Sequence, residues 1–562
     1  MKKTIASLAL LKSSWDLYQK DYIESFVPFI VTLIKKMNYS EIDVHAVSRD
    51  FAQEYGLFIP YHPMNSILTR VKNRGYIRKN GKYIPVREKI ITDGFADIAI
   101  AQERKYQKVI NQFILFCKEE HGEDVREEQA DQYFIGFLKE YDLDILFATV
   151  SDKSVLPKVS EEQETSVSKF LVNSFIVSVY NNEPELFEFI VSISVGHVMA
   201  STILDDNHSK LQGKFNGVYY LDTGLLFSIM GIDGVEYKQA FIDFISLLKT
   251  QGAQLCVFSH TYKEFVEILE NSMVWIENKS FDLHKASRTL LYFLEQEKTS
   301  SDVELFIAKI DQRLRELKIA IVETPSGLTQ GQEFLVNEDG IYGSIVKVYS
   351  ENNRFFDKDD KDHTIKQDVK SICATYRLRQ GRKPRNLKDV ECIFITTNPS
   401  LARAAKQFEI EENGGGKGFI PTVLTDIFVG TIVWLNTPVA VMKVNEKRLI
   451  ANCYAALQPS KDMIRMLVEK AEKMNDEGEI RDEDVALLKI SRVARNILQK
   501  NTLGDLERFD NVNISAIVRQ TRLDIRNEER ESFENDREEA LHKVRDAEAK
   551  VALAEKERKA RV

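Results

Sequence analysis

The stretch that decides the fold is Val218-Tyr219-Tyr220-Leu221-Asp222-Thr223-Gly224, and a second apolar stretch, Leu225 to Met230, follows it. A short apolar run of this kind predicts a buried strand, and the turn and apolar residues after it predict a helix. Open α/β sheets bind their ligands beyond the carboxyl ends of their strands. Asp222 is therefore predicted to lie at the ligand-binding edge of a parallel sheet.

Three later segments place polar residues in similar positions. An apolar strand ends at Phe258, and the helix predicted after it carries Glu264 on its first turns. Asp368 opens a segment whose apolar residues have helical spacing. The apolar run Ile393–Ile395 ends in polar residues that include Asn398. Four such transitions in one part of the chain predict a single site.

This order of motifs resembles that of the PIN-domain nucleases, and the resemblance covers residues 215–437. It implies an α/β domain with a parallel sheet. It also implies that Asp222, Glu264 and Asp368 are catalytic acids that hold Mg²⁺ or Mn²⁺, since these hard cations prefer oxygen ligands. By the same resemblance, Asn398 belongs to the catalytic set. The neighbouring Thr397 is expected to contact substrate.

Two features depart from the family pattern. Asn398 stands where many members carry Asp, so it offers an oxygen but no charge. About a hundred residues separate Glu264 from Asp368, which is more than in a compact member. We expect the segment of about 271–355 to form a helical insertion.

Each acid also has a simpler interpretation. Asp222 can start a turn, and Asp368 can be a negative charge at a helix N-terminus, where the macrodipole favours it. Glu264 can lie on a solvated face, and Glu267 and Glu270 compete with it for the same role. The sequence alone leaves these alternatives open.

A charged run, Asp357 to Asp362, precedes Asp368, and we expect it to be a solvated loop. His363 follows this run. It is a candidate for contact with a base or a phosphate of the substrate, and its alternative role is an ordinary helix cap.

Residues 1–90 predict a winged-helix-like unit. Helical spacing through 1–37 and 40–55 is followed by a third short helix at 65–72. A hairpin comes next, and its turn is Asn80-Gly81, a pair that supplies the positive φ angles of a two-residue turn.

This unit carries basic residues around its hairpin. If it binds nucleic acid, Arg74, Arg78 and Lys82 are expected to contact phosphates, which position a protein without reading sequence. The alternative is a packing module whose basic side chains are simply solvated.

The rest of the chain reads as helical. We expect a helical connector at 91–210 and a helical region at 440–525. The segment 527–562 is dense in charge and has small apolar residues at heptad-like spacing, which predicts an exposed helix or a weak coiled coil. Such a helix offers a surface for a protein partner or for self-association.

Composition limits the class of protein. The chain has 562 residues, 43% of them hydrophobic and 29% charged, which is typical of globular domains, and its net charge of −9 argues against a protein that coats nucleic acid generally. Its 5 cysteines form no Cys-x-x-Cys pair, which favours a reduced, cytoplasmic setting. No apolar run reaches the roughly 18 residues of a membrane span.

The sequence therefore predicts a metal-dependent nuclease that hydrolyses RNA or DNA phosphodiesters, in the cytoplasm and with no membrane partner. Extra helical modules around the nuclease suggest, by analogy, a regulated bacterial defence or stress effector. The alternative is a non-catalytic regulator or scaffold that binds nucleic acid and carries an inactive PIN-like domain.

Overall fold

The computed structural model describes residues 1–18, 23–90, 94–139, 165–203, 216–277, 288–296, 298–325, 336–352, 356–412, 416, 418–436, 446, 449–450, 452–454, 456–527 and 530. These residues form two compact units. One contains the described residues up to 456, and the other contains those from 457 onward.

The N-terminal part of the larger unit consists of four helices and a hairpin. In chain order these are α1 Lys2–Tyr18, α2 Val27–Met37, α3 Val44–Tyr55, α4 Tyr61–Asn73, β1 Ile77–Asn80 and β2 Lys82–Pro85. Ile42, between α2 and α3, forms an antiparallel bridge to Tyr83 in the hairpin. In the hairpin Asn80 pairs with Lys82, and only Gly81, with a positive φ of 69°, lies between them, so the turn is not the predicted two-residue form.

Four further helices occupy the predicted connector: α5 Phe95–His121, α6 Glu127–Lys139, α7 Ser166–Asn182 and α8 Pro184–Ile203. Helix α1 packs closely along α8 and α5. The approach to α8 is so close that a Cβ on Gly196 would lie 1.9 Å from the carbonyl oxygen of Leu8. Residues 140–164 of the connector lie outside the described residues, as do 204–210.

A parallel sheet forms the centre of the larger unit, which confirms the predicted α/β class. Its strands are β3 Val218–Leu221, β4 Gln254–Phe258, β5 Ile319–Val322, β6 Cys392–Thr396 and β7 Val423–Thr425. Their spatial order is β5-β4-β3-β6-β7, and every neighbouring pair is parallel. Strands β3, β4 and β6 are almost wholly buried, as expected when helices cover both faces of a parallel sheet.

The helices around the sheet follow the strands in alternation. They are α9 Thr223–Met230, α10 Val235–Thr250, α11 Ser259–Glu277, α12 Arg288–Glu295, α13 Ser300–Ala308, α14 Ile310–Glu316, α15 Glu338–Asn352, α16 Lys358–Arg379, α17 Pro399–Glu412 and α18 Asp426–Asn436. The predicted helical insertion of 271–355 therefore contains more than helices. It also supplies the edge strand β5.

One apolar cluster fixes α15, α16 and α17 against the sheet. Tyr220, Phe258 and Phe394 point to this side from three adjacent strands, and Ile345 and Ile372 meet them from the helices. The rings of Tyr220 and Phe258 stack with centroids 4.0 Å apart. This packing sets the position of α15 and α16 relative to the strand ends.

A buried cation anchors the far end of α16. The guanidinium of Arg379 donates to the backbone carbonyl oxygens of Cys392, Ile420 and Pro421 at 2.7 to 2.8 Å. Burial raises the pKa of nearby Glu409 to about 7, although the charge of Arg379 acts in the opposite direction. Arg379 thus ties α16 to β6 and to the segment that enters β7.

The second unit contains α19 Lys461–Asp476, α20 Asp482–Ile490 and α21 Arg492–Thr502. Leu467, Leu488, Leu498 and Ile517 belong to its apolar core. The predicted charged helix at 527–562 lies outside the described residues, apart from 527 and 530. No helix in the described part of the chain combines the length and the apolar composition that crossing a bilayer requires.

Candidate active site

The site lies where the order of the strands reverses. From β3 the chain builds outward to β4 and β5, and then it returns to add β6 and β7 on the other side of β3. Adjacent loops diverge at such a switch point and leave a crevice at the carboxyl ends of the strands. Asp222 follows β3 directly, and Asn398 lies two residues beyond the end of β6. Both therefore lie at the crevice.

Asp222 is held by two hydrogen bonds. Its Oδ1 accepts from the backbone N–H of Thr223 at 2.8 Å, which caps helix α9, and its Oδ2 accepts from the hydroxyl of Thr396 at 2.5 Å. Burial raises the pKa of Asp222, and these two hydrogen bonds oppose the rise. Asp222 therefore caps a helix and does not start the turn of its simpler interpretation, and its charge acts on the other acids.

Glu264 lies on the second turn of α11, the helix that begins where β4 ends. Its Oε2 accepts a hydrogen bond from the hydroxyl of Thr223 at 2.7 Å, and its side chain is half-buried. Glu267 and Glu270, which competed for this role, are exposed. The structure therefore places Glu264 at the site and the other two on the outer face of the helix.

Asp368 lies inside α16 and not at its start, because the helix already begins at Lys358. The macrodipole interpretation and the predicted loop at 357–362 are both wrong for this reason: Asp357 caps the helix and the run after it is helical. Asp368 Oδ2 accepts a hydrogen bond from the hydroxyl of Tyr349 at 3.0 Å. Its other oxygen accepts none from the described residues.

The three carboxylates are close enough to affect one another. Burial, followed by the charges of Asp222 and Glu264, raises the pKa of Asp368 well above its ordinary value. Burial also raises the pKa of Glu264, and the charge of Asp222 adds to this. None of the three forms an ion pair with a described Lys or Arg side chain. Three like charges are thus gathered without an ion-pair partner among the described Lys and Arg side chains.

Asn398 has a role that the sequence did not reveal. Its Oδ1 accepts from the backbone N–H groups of Ser400 and Leu401 at 3.1 and 3.3 Å, which caps α17. Only oxygen can accept these two bonds, so the side-chain amide nitrogen must face the other way. It donates to the hydroxyl of Tyr349 at 2.7 Å. Asn398 presents an N–H group to the site, and its oxygen is already used.

The donor set suits a hard divalent cation, because carboxylate oxygens are the ligands that Mg²⁺ and Mn²⁺ prefer. Glu264 Oε1 and Asp368 Oδ1 accept no hydrogen bond from the residues that the structure describes, so both can serve as ligands. Within those residues, however, no three Asp, Glu, His or Cys side chains already converge as a metal-holding group. Binding of a cation by these acids therefore requires their side chains to rotate toward one another.

The predicted substrate contacts lie at the rim. Thr397 is exposed, directly after β6, and a Cβ on Gly224 would lie only 2.5 Å from its Oγ1. A side chain at 224 would therefore displace the Thr397 hydroxyl. His363 is exposed on the second turn of α16, so it is not a helix cap, and its charge lowers the pKa of Glu264.

His260 connects elements that carry the site, and it is not among the predicted site residues. Its Nδ1 is 2.8 Å from the Thr324 hydroxyl beyond β5, and its Nε2 is 2.9 Å from the Ser371 hydroxyl on α16. Glu264 lies one turn beyond His260 on α11, and Asp368 lies one turn before Ser371 on α16. His260 therefore fixes the distance between the two helices that carry these acids.

Tyr349 was also missed. It lies on α15, inside the predicted insertion, and it contacts two of the candidate residues. Its sequence surroundings contain no strand end or acidic motif that would have identified it. The hydroxyls of Thr223 and Thr396 could have been inferred, because each neighbours a predicted site residue.

The predicted basic contacts lie on and beside the hairpin. Arg74 pairs with Glu24, through an Nε to Oε2 distance of 3.1 Å, and Lys82 pairs with Glu41 at 2.5 Å. Arg78 is exposed and forms no ion pair with a described residue. Two of these three positive charges are therefore offset within the protein.

We compared the chain with models of protein families, with curated proteins and with solved structures. None of the three comparisons found a match.

Proposed function

We propose that this protein is a metal-dependent nuclease that hydrolyses RNA or DNA phosphodiesters with water as the nucleophile. The proposal assigns a PIN-like domain to 215–437 and a winged-helix-like unit to 1–90. One observation carries it: Asp222, Glu264 and Asp368 come together from three separate elements at the switch point of a parallel sheet. Their mutual repulsion has a cost, which a bound cation would offset.

In this proposal the three carboxylates hold Mg²⁺ or Mn²⁺. A cation held by them would activate the attacking water and would offset the charge that develops on a phosphodiester. The hydroxyls of Thr396 and Thr223 each donate to one carboxylate and leave its negative charge in place. The three acids are half-buried, and the proposal requires that a phosphate reach them from solvent.

Substrate contacts would come from two places. Thr397 and His363, at the rim, would meet the nucleotide that is cleaved. The hairpin of the winged-helix-like unit would contact phosphates elsewhere on the chain. Since Arg74 and Lys82 are already paired, we expect Arg78 to contribute more to nucleic-acid affinity than either of them.

The test is cleavage of labelled single-stranded RNA, single-stranded DNA and duplex DNA with Mn²⁺ or Mg²⁺. We expect cleavage that requires the metal and that falls by at least about a hundredfold in Asp222→Asn and in Asp368→Asn. Glu267→Gln is the matched control, because this exposed acid lies on the same helix as Glu264 and should retain activity. Equal activity in wild type and both Asp variants would refute the proposal.

The alternative is a non-catalytic nucleic-acid-binding regulator or scaffold. It is favoured by Asn398, whose oxygen is committed to a helix cap and which supplies no charge. The two functions differ in a titration with Mn²⁺. A nuclease binds the ion through the three acids, and a scaffold shows no binding that depends on them.

A cytoplasmic setting, and a role as a regulated bacterial defence or stress effector, remain parts of the proposal that rest on analogy. The cytoplasmic setting is based on the scattered cysteines of the sequence, and the effector role on the helical modules around the sheet unit.

A further inference from the structure

Tyr349 places a phenol hydroxyl between two of the candidate site residues. It lies on α15, which packs against both α16 and α17. Its ring meets that of Phe356 edge-on, with centroids 6.2 Å apart, and joins the apolar cluster on this side of the sheet. The ring is thus held from the side, and the hydroxyl points at Asp368 and Asn398.

The direction of each hydrogen bond at this hydroxyl is fixed. Since Asn398 Oδ1 caps α17, the group that faces Tyr349 is the amide NH₂, which can only donate. The phenol oxygen therefore accepts from Asn398 at 2.7 Å. Its single proton goes to Asp368 Oδ2 at 3.0 Å.

This arrangement depends on the amide at position 398. A carboxylate there would cap α17 equally well, but it could not donate to Tyr349. It would then compete with Asp368 for the only phenol proton and add a fourth negative charge. Asn398 and Tyr349 therefore act as a matched neutral pair, joined across 49 residues of sequence.

We propose that Tyr349 is a positioning residue of the site, and that the Tyr349–Asn398 pair takes the place of a fourth carboxylate so that the protein holds one divalent cation and not two. This inference rests on the proposed function. Tyr349 holds Asp368 Oδ2 and leaves Oδ1 available as a ligand for the cation. Outer groups of this kind commonly change metal affinity by about 10- to 100-fold when they are removed.

The total charge of the three carboxylates favours one bound cation per chain. Asp222, Glu264 and Asp368 carry three negative charges when ionised, which more than offsets one divalent ion. A second ion at the roughly 3.5 to 4 Å spacing of two-metal sites would leave a net positive charge. Asn398 supplies neither the missing charge nor a ligand oxygen.

The experiment is a titration of the full chain with Mn²⁺ alone, followed by electron paramagnetic resonance, which measures free and bound ion directly. We expect one Mn²⁺ per chain in the wild type. We expect Tyr349→Phe to bind one Mn²⁺ about tenfold more weakly, with an altered spectrum of the bound ion. Thermal unfolding of each variant confirms that it is folded.

The matched control is Tyr342→Phe. Tyr342 lies two turns earlier on the same helix, and its hydroxyl donates to Asp362 at 2.8 Å, outside the site. This variant makes the same chemical change and should bind Mn²⁺ as the wild type does. Asn398→Asp, which keeps the helix cap and adds the missing charge, should bind a second Mn²⁺.

Three results would overturn the inference: two ions in the wild type, an unchanged dissociation constant in Tyr349→Phe, or a single ion in Asn398→Asp. Failure of the proposed function looks different. In that case the wild type binds no Mn²⁺ that depends on Asp222 and cleaves no nucleic acid. Metal-dependent cleavage with normal Mn²⁺ affinity in Tyr349→Phe would reject only the role of Tyr349.

Discussion

At the scale of single residues, the site pairs each carboxylate with one hydroxyl. Asp222 accepts from Thr396, Glu264 from Thr223 and Asp368 from Tyr349. A neutral hydroxyl orients a carboxylate without cancelling its charge. The arrangement therefore preserves negative charge for a ligand at the expense of stability.

The stability lost through this negative charge can be measured at Asp368. Its pKa is raised in the folded state, so its contribution to stability is present below its unfolded pKa and is lost as the pH rises through the folded pKa. Asp368→Asn removes the charge and keeps the shape. In chelator, we expect this variant to raise the melting temperature by about 2 °C at pH 8 and by less at pH 5.

The control for this prediction is Asp339→Asn, which removes an exposed acid from the first turn of α15. It should lower stability slightly, because negative charge is favourable at a helix N-terminus. A melting temperature of Asp368→Asn below that of wild type at pH 8 would contradict the electrostatic account of the site.

At the scale of elements, the most extensive packing contact of helix α1 is with α8, a helix far along the chain. Helix α1 lies against α8, and the two backbones meet at Leu8 and Gly196. The obstacle at this point is a backbone carbonyl, which cannot rotate away as a side chain can. This contact ties the N-terminal end of the chain to the connector.

Gly196→Ala tests the contact. Since the added Cβ would lie 1.9 Å from the Leu8 oxygen, the helices must separate, and we expect a loss of about 2 to 3 kcal/mol in the free energy of unfolding. Urea denaturation measures this loss.

Gly343→Ala on α15 is the control. A Cβ there meets nothing within 4 Å, so the change should stabilise the protein by up to about 1 kcal/mol. Equal effects from both substitutions would argue against close packing of α1 on α8.

At the scale of the larger unit, His260 joins three elements that are distant in sequence. Burial, followed by the charge of Lys370, lowers its pKa to about 4, and the backbone carbonyl of Gln367 opposes this. The neutral ring is thus the form that the fold accepts. Protonation would place a positive charge in low-dielectric surroundings. Both ring nitrogens would then be donors, so both neighbouring hydroxyls would have to accept.

The lowered pKa predicts acid sensitivity. His260 contributes stability that is present above its unfolded pKa of about 6.5 and is lost as the pH falls toward 4. At about 1.36 kcal/mol per pKa unit, the loss is on the order of 3 kcal/mol. We expect wild type to lose more stability than His260→Gln between pH 7 and pH 5, as measured by urea unfolding. His62→Gln, an exposed histidine on α4, should follow the wild type, and parallel pH profiles for His260→Gln and wild type would contradict the prediction.

Sequence by itself determined the local parts of this protein. The apolar runs ending at Leu221, Phe258 and Ile395 predict buried strands, and parallel strands bring their carboxyl ends to one edge, so Asp222, Glu264 and Asn398 could be placed together. Only the tertiary structure showed that Asp368 lies inside a helix, because helix starts depend on caps that several nearby polar residues can supply. The tertiary structure also determined the orientation of Asn398 and showed that Tyr349 belongs to the site. Tyr349 is 19 residues from Asp368 and 49 from Asn398, and side-chain hydrogen bonds over such separations leave no periodic pattern in the sequence.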